Sequence, residues 1–107
     1  MIWRSQAYLR YIRSLPCVVT GRLGVVAHHV RCLGHGGTGL KPPDWMAVPL
    51  DPLEHQRLHD MGERRYWAEK GITPALTVCW IMLDYLQSRA SVEMVDVLGE
   101  VVAGING

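Results

Sequence analysis

The chain has 107 residues, of which 49% are hydrophobic and 20% charged. That is enough for one modest core, and it excludes both a two-domain protein and a disordered tail. Net charge is only +1, but residues 1–70 carry ten Lys/Arg against six Asp/Glu (+4) and residues 71–107 carry one against four (−3). The basic part also holds all five histidines, so a polyanion is expected to meet that part first.

Phenylalanine is absent, which leaves the aromatic share of the core to Trp3, Trp45, Trp67, Trp80 and four tyrosines. Cys17, Cys32 and Cys79 are an odd number at unrelated spacings. They form no disulfide framework and no complete CxxC pair. With no signal-peptide pattern at the start, a reducing cytoplasm is expected. The longest apolar run, Ala75–Leu86, contains Asp84. It is shorter than the roughly 20 residues a spanning helix needs, so it reads as a buried helix and no membrane association is expected.

In chain order, Ser5–Arg13 reads as a short helix, with Tyr8, Leu9 and Ile12 on one face, and Pro16 ends it. Cys17–Thr20 and Val25–Val30 are β-branched runs around a turn flanked by Gly21 and Gly24, and they predict a β-hairpin. Residues 32–43 form a glycine-rich, proline-ended loop, long for so small a domain. Such loops usually carry function. Asp44–Leu50 then returns as an extended segment.

The next helix starts sharply. Asp51 is a good N-cap, Pro52 fits the first helical position and Glu54 completes a capping-box pattern. Gly62 is its natural stop. A second helix spans Glu63–Lys70 before Gly71, a third runs from Thr73-Pro74 to about Arg89, and Ser91 caps a last one through about Ala103. The two C-terminal helices carry more apolar positions than a small domain covers. A homodimer formed through them is therefore expected.

The chemistry-bearing pattern is histidine. His55 and His59 are four apart on the well-capped helix, so their imidazoles share one face about a turn apart. Two imidazoles can hold one metal ion from that geometry. Such a pair on a surface helix often only faces solvent. His28 and His29 are neighbours near the end of a strand and point to opposite faces. If one joins the helical pair, the other is placed to activate water, because an imidazole titrates near neutral pH.

The run AHHVR, the segment GLKPPDW followed by VPL, and the HxxxH helix together resemble the HNH, or ββα-metal, nuclease motif. Over Leu15 to about Trp67, roughly half the chain, they are similar to the phage recombination-enhancement (Ref-like) HNH family. The resemblance implies an α+β fold in one domain, residues 1–107. Residues 15–62 would form a ββα-metal core of hairpin and metal-binding helix, after an N-terminal helix, and residues 63–107 a helical C-terminal extension. It implies a phage- or prophage-encoded endonuclease that hydrolyses DNA phosphodiester bonds with one divalent ion (Zn, Ni, Mn or Mg). Carried over residue by residue, His28, His55 and His59 are the metal ligands and His29 is the general base.

The sequence departs from the family at two places. Where many relatives hold a structural zinc with two CxxC pairs, this chain has Cys17, Thr20, Asp51 and Glu54. One thiolate of four argues against that zinc, and Asp51 with Glu54 can cap the helix without metal. The middle Asn of the motif is expected nine residues before His55, where Met46 stands. Met cannot orient a histidine, and Asp44 is the nearest side chain able to do so. Arg31, Lys41, Arg57, Arg64 and Arg65 are the candidate nucleic-acid contacts. His35 in the loop is not expected to ligate. The competing readings are a degenerate HNH fold that binds DNA or a protein without cutting, and a module whose metal only holds the fold.

Overall fold

The computed structural model describes residues 2–33 and 41–89. Over these residues the chain is an α+β fold of four α-helices and a two-stranded antiparallel sheet.

Helix α1, Gln6–Ser14, starts where Ser5 accepts a hydrogen bond from the Tyr8 amide, and it buries Tyr8, Leu9 and Ile12. Strand β1 is Val26–His29 and strand β2 is Ala47–Leu50. The register sets His28 opposite Val48 and His29 opposite Ala47. A 3-10 turn, Asp44–Met46, leads the chain into β2.

The expected hairpin between Cys17–Thr20 and Val25–Val30 does not form. The partner of the histidine strand is Ala47–Leu50, not Cys17–Thr20. Residues 17–20 instead form a turn, closed by a hydrogen bond from the Gly21 amide to the Cys17 carbonyl. Gly21 and Gly24 both have positive φ, which their lack of a Cβ permits. The 17–20 run still lies beside the sheet, since the Val18 amide donates to the Pro49 carbonyl at 3.1 Å. Pro49 has no amide hydrogen of its own and is tolerated because the ladder is two strands wide.

Helix α2, Pro52–Met61, begins and ends as its sequence predicts, with Asp51 as N-cap and Gly62 at its end. The Asp51 carboxylate accepts from the Glu54 amide at 2.8 Å and from the Thr20 hydroxyl at 2.6 Å. Only half of the expected capping box forms. The buried Glu54 carboxylate accepts from the Tyr66 hydroxyl at 2.8 Å and from Arg57 at 2.6 Å, because Tyr66 gives it a partner inside the core. Helix α3, Glu63–Lys70, stops at Gly71 in the left-handed region, and helix α4 is Pro74–Arg89.

The core joins one face of α1 to both strands and to the inner faces of α2, α3 and α4. The run 75–86 is not the buried helix expected of it: α4 buries Val78 and Ile81 and leaves Leu76, Trp80, Leu83 and Leu86 exposed. The helix expected from Ser91, most of the glycine loop and His35 lie outside the described residues. No helix among the described residues is long and apolar enough to cross a membrane.

Candidate metal centre

Strand β1 and helix α2 bring three histidines together. The cap at Asp51 fixes where α2 starts, and so places His55 and His59 one turn apart on the side facing β1. One ring nitrogen from each of His28, His55 and His59 lies within 4.8 Å of the others. The ring centroids are 5.1 Å apart for His28–His55, 5.8 Å for His28–His59 and 4.5 Å for His55–His59. The Nε2 atoms of His55 and His59 are 3.0 Å apart.

Two nitrogens on one tetrahedral ion, each about 2.0–2.1 Å from it, stand roughly 3.3 Å apart. The spacing of the helical pair is close to that figure, and the donor set is three neutral-capable imidazoles. The residues therefore fit a divalent transition ion. Burial, with His28 and His59 nearby, lowers the pKa of His55, which favours the unprotonated ring that a metal requires.

His29 follows on the strand and meets a different partner. Its Nε2 lies 2.8 Å from Oδ1 of the buried Asp44. Asp44 is itself held firmly. Its Oδ2 accepts from the Ser5 amide at 2.8 Å and its Oδ1 from Arg4 at 3.2 Å. Arg4 also donates to the carbonyls of Pro42 and Lys41, so the chain just before α1 straps down the segment that carries the carboxylate. Burial alone would raise the Asp44 pKa, but the hydrogen bonds from His29, Ser5 and Arg4 outweigh it and hold the group below the usual range. For His29 burial dominates and lowers the pKa despite the Asp44 bond, with Lys41 and Arg4 acting in the same direction as burial. Both shifts favour a neutral imidazole beside an ionised carboxylate at neutral pH.

A cleft of about 290 Å³ opens over these groups, lined by Ala27, His28, His29, Arg31, Lys41, His55 and His59. Arg31 and Lys41 thus reach the histidines. Arg64 and Arg65 line a neighbouring cleft of about 520 Å³, which also includes Arg31 and Glu63. Arg57 is not brought to either cleft among those described, because its guanidinium turns to Glu54. Met46, nine residues before His55, is fully buried, and His29 meets Asp44.

Two site residues escaped the sequence reading. Arg4 holds Asp44. Glu63 accepts from the Arg31 amide and lies 2.9 Å from His28 Nε2. Neither falls in a motif, and the contacts span 40 and 35 residues of chain.

The family described as "Protein of unknown function (DUF968)" matches residues 1–85, and the chain belongs to that family. It is also similar to the "Uncharacterized protein YdfU" of Escherichia coli (strain K12), with 33% identity over 57 residues. That match covers 53% of this chain and 16% of the relative, so the chain corresponds to a small part of that protein. No solved structure matches the chain.

Proposed function

We propose that this member of the DUF968 family is a metal-dependent endonuclease of the HNH type, hydrolysing phosphodiester bonds in DNA. One observation carries the reading. Three imidazoles from β1 and α2 converge, while the next strand residue, His29, is held by a buried carboxylate beside the same cleft. A structural metal site needs no such second histidine.

His28, His55 and His59 would hold a divalent ion, which would supply Lewis-acid stabilisation of the charge that develops on the phosphate. The chain's own residues do the rest. With Nε2 of His29 donating to Asp44, Nδ1 is left as the acceptor that takes a proton from the attacking water. Asp44 keeps the ring in that tautomer and offsets the charge it gains. The water oxygen bonds to phosphorus as the P–O bond to the leaving sugar oxygen breaks, and that oxygen takes up a proton from solvent water. Arg31 and Lys41 contact the non-bridging oxygens. Three imidazoles favour a borderline transition ion over Mg²⁺, since hard ions prefer oxygen ligands.

The test is nicking of supercoiled plasmid by the purified chain. Activity lost in EDTA and restored by Mn²⁺, Zn²⁺, Ni²⁺ or Mg²⁺ is expected. Retarded but intact DNA with every ion would favour the non-cutting binder, the reading that the buried Met46 in the Asn position supports.

A further inference from the structure

Glu63 opens helix α3, outside the strand and helix that carry the histidines. Its side chain is 12% exposed. One carboxylate oxygen, Oε1, lies 2.9 Å from Nε2 of His28 and accepts from Trp67 Nε1 at 3.3 Å. The other, Oε2, accepts from the Arg31 amide at 2.9 Å. Three bonds from β1, α3 and the chain after β1 leave this carboxylate little freedom. A clamp joining α3 to the strand end would need only the Arg31 bond, since the Trp67 bond lies within α3. The contact with His28 is the additional one, and it falls on the ring that faces both His55 and His59.

We propose that Glu63 is a positioning residue for the metal centre. It holds a proton on Nε2 of His28, so that Nδ1 is the nitrogen presented to the ion. A carboxylate behind a ligating imidazole fixes the tautomer and ring orientation and raises the basicity of the ligand, and its loss typically weakens metal binding about 10–100-fold. The inference rests on the metal-centre reading above and adds a residue that the HxxxH and HH patterns do not contain.

The experiment is titration of the full chain with Co²⁺, followed by calorimetry and by the visible absorption of the bound ion. Wild type, Glu63→Gln and Glu63→Asp are compared, and thermal melting of each metal-free protein is recorded beside them. Glu63→Gln is expected to bind Co²⁺ about 10–100-fold more weakly, with an altered visible spectrum and little change in melting. Glu63→Asp keeps a carboxylate acceptor and is expected to fall between the two, which also serves if the Gln variant fails to fold. Wild-type affinity and spectrum in both variants would overturn the role of Glu63 while leaving the centre intact. Affinity that falls only in step with melting temperature, with the spectrum unchanged, would make Glu63 a fold clamp and likewise overturn it. Wild type that binds no Co²⁺ would overturn the centre itself, and this inference with it.

Discussion

His28 and His29 are adjacent in sequence yet meet different partners, Glu63 for one and Asp44 for the other. Substitutions at the two should therefore separate. His28→Ala should weaken ion binding, as should His55→Ala and His59→Ala, and excess metal should restore part of the lost cleavage. Asp44→Ala removes the acceptor behind His29. Its cleavage rate should fall by about 10²–10⁴, the usual cost of a lost or misoriented base, with calorimetric ion affinity close to wild type. Nicking by Asp44→Ala at the wild-type rate would remove Asp44 from the chemistry. The pairing of Asp44 with His29 could be named from sequence only as a candidate. Met46 announced that a partner was missing, and Asp44 was the nearest polar side chain. Glu63 had no comparable signal, because its contact depends on where the turn at Gly62 sends α3.

At the scale of elements, local signals were read well and long-range pairing was not. Asp51-Pro52, Gly62, Gly71 and Thr73-Pro74 act within a turn of their own positions, so the bounds of α2 and α3 and the start of α4 follow from sequence. The runs Cys17–Thr20 and Ala47–Leu50 are both short and apolar, and nothing in periodicity says which pairs with Val26–His29. The nearer run was the expected partner, and the farther one forms the ladder. The Asp51 cap supports a further prediction. Bonds from Thr20 and from the Glu54 amide hold the Asp51 pKa below its ordinary 3.8. Its contribution is therefore fully present above that value and is lost as pH falls through the lower folded-state value. Urea unfolding of Asp51→Ala should show a loss of about 1–2 kcal/mol at pH 7. The gap to wild type should narrow below pH 3.8. A gap that stayed constant down to pH 2 would mean that the carboxylate charge takes no part in the cap.

Over the whole molecule, charge is divided along the chain. The +4 excess of residues 1–70 includes Arg31 and Lys41 at the histidine cleft and Arg64 and Arg65 beside it. DNA held there should bind less tightly as salt rises, because each neutralised phosphate releases counterions. Replacing Arg64 and Arg65 together should weaken binding and reduce the slope of log affinity against log salt by about 2, one for each lost phosphate contact. Fluorescence anisotropy across a salt series measures both. An unchanged slope would place the DNA elsewhere on the surface.

The most direct test is cleavage of supercoiled plasmid by wild type and by His29→Ala, each incubated with the same concentration of Mn²⁺ and assayed for bound ion. The strand geometry keeps His29 off the three-histidine cluster and on Asp44, so ion content should match between the two while the rate falls by about 10²–10⁴ in the variant. Equal cleavage by both proteins, or a variant that loses its ion along with its activity, would contradict the division of labour between metal and base.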